Sequence, residues 1–193
     1  MIWLASRSAS RAAMLRAAGV AFEQVAADID ERALETEMAG APPDEIVQAL
    51  AAAKACAAQV ADGGLVLGSD SLVVVEGRRF DKPESRAMAA EHLAFFSGKV
   101  MELHSAAALV CGGKVVHMEH SFARLKVREL SAAFIDTYLR AEWPEVGHCV
   151  GVFRIEGRGV QLFDWVAGDH FTILGMPLLP VLAALRAEGE LPQ

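Results

Sequence analysis

The segment Leu65-Val66-Leu67-Gly68-Ser69-Asp70-Ser71 constrains the fold more than any other part of the chain. Three consecutive large aliphatic residues without polar alternation read as a strand covered on both faces. Such a strand belongs inside a sheet that carries helices on its surface. The run passes straight into a glycine, a serine and an aspartate. Asp70 is therefore expected at the carboxyl end of a buried strand, where open α/β sheets place their ligands.

The rest of the chain supplies the partners such a strand needs. An apolar run at 2–5 breaks into the polar loop Ser6-Arg7-Ser8-Ala9-Ser10-Arg11, followed by helical composition to 18 and a stop at Gly19. A returning strand at 22–25 leads into the acidic turn Asp28-Ile29-Asp30-Glu31. A helix opening at Pro42-Pro43-Asp44 continues to about residue 60 on the stripe begun by Ile46, Val47 and Leu50. Residues 72–75 prolong the β-rich character until Glu76-Gly77 turns it. Further helices are expected over 85–96, 131–140 and 177–187. Strands are expected over 102–110 and 114–120, joined at Gly112-Gly113, and over 122–127, 150–155, 160–165 and 171–174. Strands alternate with helices early and run together later. The expected class is therefore α/β with α+β character, a twisted mixed sheet flanked by helices.

At 193 residues the chain suits one domain, taken as 1–193, or two tightly joined lobes. A formal charge of −7 argues against broad binding of nucleic-acid polymers, although a few local cations can still dominate one anion site. Cys56, Cys111 and Cys149 are far apart and read as reduced thiols. No apolar stretch approaches the roughly 18 residues of a membrane span, and serines and arginines interrupt the N-terminal run. The expectation is a cytoplasmic protein without a membrane partner.

Several side chains could carry chemistry. Asp70 can bind a hard cation or accept a proton from water, or it can simply cap a turn. Arg11, Lys54 and Lys82 are the cations that a triphosphate and a departing pyrophosphate require, unless each is a solvated surface charge. Lys54 stands out because it interrupts an alanine run. The serine-rich loop can surround phosphate at a helix N-terminus, or Ser8 or Ser10 can cap that helix. Asp28, Asp30 and Glu31 offer a second metal ligand or form an exposed turn ahead of a helix. The six histidines show no ligand spacing, and His104, His148 and His170 read as isolated.

Together these segments resemble the Maf family, the septum-formation-associated nucleoside triphosphate pyrophosphatases. Leu4-Ala5-Ser6-Arg7-Ser8-Ala9-Ser10-Arg11 is similar to that family's Leu-Ala-Ser-x-Ser-Pro-Arg-Arg, with Ala9 replacing the proline and Ser10 the first arginine. Ile29-Asp30-Glu31, Lys54-Ala55, Gly68-Ser69-Asp70, Lys82-Pro83, Ser97-Gly98, Ile155-Glu156-Gly157-Arg158-Gly159 and Leu174-Gly175-Met176-Pro177 follow in the family's order. The resemblance implies two lobes around a nucleotide cleft, a homodimer, and hydrolysis of a nucleoside triphosphate with Mg²⁺ or Mn²⁺. It makes Asp70 the catalytic or metal-organising carboxylate and Glu31 a metal partner. It makes Ser8, Arg11, Lys54 and Lys82 the phosphate-binding set.

The resemblance also places Ser10, Ser71 and Glu156 where substrate choice is set. A carboxylate at 156 only accepts hydrogen bonds, which suits the adjacent N1–H and exocyclic amine of guanine. Thymine and uracil would turn a carbonyl toward it, at a cost of about 1–3 kcal/mol. The expected substrate is 7-methyl-GTP or another guanine nucleotide. The alternatives are a dTTP/UTP pyrophosphatase of the same family and a non-hydrolytic, nucleotide-binding regulator of cell division.

Overall fold

A computed structural model describes residues 1–60 and 63–193. Strands are β1 Ile2–Ala5, β2 Phe22–Gln24, β3 Leu65–Val75, β4 Arg78–Phe80, β5 Val100–Cys111, β6 Lys114–Val127 and β7 Phe163–Ala167. Helices are α1 Ala9–Ala17, α2 Glu31–Glu37, α3 Pro43–Ala57, α4 Arg86–Phe96, α5 Ala132–Glu142, α6 His170–Ile173 and α7 Leu178–Ala187. Single 3₁₀ turns cover Glu145–His148 and Arg158–Leu162. Strand order is β2-β1-β3-β5-β6-β7, with β4 on β3. β1 runs parallel to β2 and β3, whereas β4 and β7 pair antiparallel, so the sheet is mixed as expected.

The chain forms two compact units. The first comprises 1–71, 104–121 and 169–193; the second comprises 72–103 and 122–168. In the first, Ile2, Leu4, Leu15, Leu67, Leu109, Val181 and Leu185 build one core, and α3 brings Ala55 against Ala5, Val66 and Val110. In the second, Phe80 packs edge-on against Phe96, with ring centroids 4.7 Å apart, and α4 packs on α5. No helix among the described residues is long and apolar enough to cross a membrane.

The structure departs from the sequence expectations at several places. β3 continues through Asp70 to Val75, so Asp70 lies within a strand rather than at its end. Its neighbour β1 stops opposite Gly68, and Asp70 is therefore just past the carboxyl end of β1. Asp30 caps a short helix, α2, where only an acidic turn was expected, its carboxylate accepting the Ala33 N–H at 2.9 Å. Residues 171–174 form part of a helix rather than a strand, because Asp169 accepts the Thr172 N–H and nucleates a turn. Residues 150–155 are turns and 158–162 a 3₁₀ turn, so the late strands reduce to β7, while 114–127 is one strand rather than two.

Candidate active site

In the first unit, α3 and β3 bring Lys54 onto Asp70. The Lys54 Nζ donates to Asp70 Oδ1 at 2.7 Å and lies 3.1 Å from Glu31 Oε1 on α2. This contact requires Gly68. A Cβ there would overlap the Ala51 carbonyl oxygen and come within 2.7 Å of the Ala55 nitrogen. Glycine thus lets α3 approach β3 at backbone distance, and Lys54 arrives one residue before Ala55. The ammonium and Asp70 are nearly buried, and Glu31 is half exposed.

Arg11 completes the cluster from α1. Burial pushes its pKa down, and the charges of Asp70 and Glu31 oppose that shift, so the three groups share one electrostatic environment. Each of its three nitrogens already has a protein acceptor. Nε donates to the Gly175 carbonyl at 2.9 Å, one terminal nitrogen to Ser6 Oγ at 3.2 Å and the other to Ser71 Oγ at 2.9 Å. Ser8 is the cap of α1, its Oγ accepting the Arg11 N–H at 3.4 Å. The capping alternative for the serine loop is therefore realised at Ser8.

A set of hydroxyls holds the segment 169–176. Ser10 donates to the Leu174 carbonyl at 2.7 Å, Ser69 and Ser71 to that of Gly175 at 3.3 and 3.0 Å, and Ser105 to that of Thr172 at 2.9 Å. Gly175 has φ +104°, a left-handed value that aims its carbonyl at these donors. Ser69, Ser105 and Thr172 were not among the sequence candidates, and Ser6 was one only as part of the serine-rich loop. The one available signal was Ser105, a hydroxyl opening an otherwise apolar run. His104 Nδ1 lies 3.2 Å from His120 Nε2 in a stacked pair, which corrects the reading of His104 as isolated.

Lys82 and Glu156 belong to the second unit. Both are exposed. Burial raises the Cys149 thiol pKa, Glu156 adds to the rise and Lys82 opposes it. Glu156 is in a tight turn closed by the Gly157 N–H to the Arg154 carbonyl at 3.1 Å.

The model of the family described as Maf-like protein matches residues 1–188. The chain belongs to the Maf family. It is similar to a nucleoside triphosphate pyrophosphatase of Sphingopyxis alaskensis, 46% identical over 98% of this chain and 98% of that one. A 7-methyl-GTP pyrophosphatase of Rhizobium meliloti is 44% identical over 99% and 98%. A nucleoside triphosphate pyrophosphatase of Nitrobacter hamburgensis is 44% identical over 97% and 94%.

No group of three or more His, Cys, Asp or Glu side chains among the described residues of this Maf chain forms a protein-only metal cage. The donor set nevertheless fits a hard divalent cation. Asp70 and Glu31 place two carboxylates around one ammonium, and Mg²⁺ commonly takes one or two carboxylates and completes its shell with water and substrate phosphates.

Proposed function

We propose that this chain hydrolyses nucleoside triphosphates to the monophosphate and pyrophosphate, and that a guanine base, 7-methylguanine foremost, is preferred. The observation that carries the reading is Lys54 bridging Asp70 and Glu31 beside the buried Arg11. Two carboxylates and two cations are more charge than packing at this place requires. Phosphoryl chemistry needs such an arrangement, with a carboxylate for water and fixed positive charge for developing negative charge. The names of the relatives support it.

In this mechanism Asp70 orients the water that attacks the α phosphorus and accepts its proton. Lys54 neutralises the triphosphate and the departing pyrophosphate, and we assign Lys82 to phosphate binding as well. Asp70 and Glu31 would hold Mg²⁺ or Mn²⁺, which supplies further charge neutralisation when bound. Arg11 contributes its fixed charge and holds the loop at Gly175. We assign Ser8 to ordering the amides at the α1 N-terminus, where they can meet phosphate oxygens. Ser10 and Ser71 shape the site through the Leu174 and Gly175 carbonyls that they contact. Glu156 reads the base by accepting from its N1–H and exocyclic amine.

Pyrophosphate release from GTP, 7-methyl-GTP, dTTP and UTP with Mg²⁺ or Mn²⁺ tests the reading. Asp70→Asn should remain folded while losing roughly 10²–10⁴-fold in turnover. Full activity of that variant removes the mechanism. A clear preference for dTTP or UTP removes the base assignment. Nucleotide binding by the wild type without turnover would establish a regulator instead. Sedimentation of the purified chain tests whether it is the expected homodimer.

A further inference from the structure

Glu156 is an exposed carboxylate in a short turn, and a side chain so placed selects a base only if its backbone is held still. The second unit supplies such a hold. Arg154 opens the turn, and its guanidinium donates to Glu142 Oε2 at 2.9 Å. Glu142 lies at the end of α5 and is only 6% exposed, an unusual place for a carboxylate, with Arg158 Nε 3.9 Å from its other oxygen. The hydrogen bond to Glu142 pushes the Arg154 pKa further up.

The backbone of Arg154 is fixed as well. Its carbonyl accepts the Gly157 N–H, and Gly159 lies so close that a Cβ there would come 2.5 Å from that carbonyl oxygen and 2.7 Å from the Arg154 nitrogen. Two residues upstream, Val152 adopts φ +56°, a conformation that β-branched residues avoid. It is fully buried, and its carbonyl accepts the Tyr138 hydroxyl from α5 at 3.0 Å. A strained residue persists only where its surroundings over-determine it. Here α5 grips the segment at 152 and at 154, on the chain immediately before Glu156.

We propose that Tyr138, Glu142 and Arg154 are positioning residues for base selection, fixing the direction of Glu156 through the turn at 154–157. The inference rests on the assignment of Glu156 to the base. None of the three residues needs to meet the nucleotide.

The readout is the ratio of kcat/KM for 7-methyl-GTP to kcat/KM for UTP, measured in the wild type, Glu156→Gln, Glu142→Gln, Tyr138→Phe and the double variant Glu142→Gln/Glu156→Gln. Glu156→Gln should lower the ratio roughly ten- to a hundredfold, the worth of one mispaired polar group. Glu142→Gln and Tyr138→Phe should each lower it by about three- to tenfold, a fraction of that mispairing. In the double variant the ratio should equal that of Glu156→Gln alone, because a positioning residue has nothing left to position. A purely structural role for the clamp would instead scale both substrates equally. That result, with Glu156→Gln still collapsing the ratio, overturns the inference and leaves the base assignment intact. An unchanged ratio in Glu156→Gln overturns both. Tyr138→Phe removes a single hydroxyl and decides the matter should Glu142→Gln not fold.

Discussion

Replacing Gly68 by alanine tests whether the distance between α3 and β3 sets the catalytic cluster. The added Cβ would overlap the Ala51 carbonyl oxygen and fall 2.7 Å from the Ala55 nitrogen and 2.9 Å from its Cβ. Carbon is comfortable against such atoms only beyond about 3.3 Å, so the helix must retreat by about 1 Å. The first two obstacles are backbone atoms of α3, and no rotamer change relieves them. Overpacking of this kind costs about 1–3 kcal/mol, which lowers Tm by roughly 2–12 °C in a chain of this size. The retreat also carries Lys54 away from Asp70, now 2.7 Å apart. Misplacement of about 1 Å can cost about a hundredfold in rate, so kcat should fall by roughly ten- to a hundredfold. The assays are a thermal melt and pyrophosphate release at saturating nucleotide. A Gly68→Ala protein with the wild-type Tm and kcat would refute the claim that close helix–strand approach builds the site.

Arg11→Lys retains the charge but cannot reach the Gly175 carbonyl, Ser6 and Ser71 together. It should cost about 1–3 kcal/mol in stability and lower kcat, with denaturant melts and turnover as the checks. Wild-type values for both would leave Arg11 as a charge alone. His92 packs edge-on against Phe80, and burial first and Arg78 second depress its pKa below the ordinary value near 6.5. Between the depressed value and 6.5 the unfolded chain binds more protons than the folded one, so stability rises with pH across that interval. The His92 contribution is complete above 6.5 and is lost as pH falls through the folded value. His92→Gln should therefore flatten the decline of Tm on acidification from pH 7.5, and an unchanged decline would exclude His92 as its source.

The cluster of Lys54, Asp70 and Glu31 was legible in part because a few residues violate their surroundings. Lys54 interrupts alanines on a helix that otherwise presents Val47, Leu50, Ala51 and Ala55 to the core, and the structure turns it onto a carboxylate. Asp70 ends an apolar run, and its neighbourhood follows from the point where β1 stops. What escaped detection depends on register and on single hydrogen bonds. His104 and His120 are distant in sequence and meet only through the pairing of β5 with β6. Residues 150–155 alternate well enough to suggest a strand, but Val152 in a left-handed conformation turns them instead. Phe171 to Leu174 is β-rich in composition, yet one aspartate cap is enough to make it helical.

The three cations grouped on charge alone occupy three different physical states. Arg11 is buried with its donors committed to protein acceptors, Lys54 is buried between two carboxylates, and Lys82 is exposed. A phosphate arriving at Lys54 replaces a half-exposed partner, Glu31, at little cost, because that carboxylate is then available to a divalent cation or to water. The same exchange at Arg11 would break its bonds to the buried Gly175 carbonyl, to Ser6 and to Ser71 together, leaving that carbonyl to the weaker hydroxyl donors Ser69 and Ser71. Sequence pattern reports which side chains can carry charge. Burial decides which of them can give up a partner for substrate, and in the proposed mechanism that favours Lys54 over Arg11 as the group that meets the phosphate.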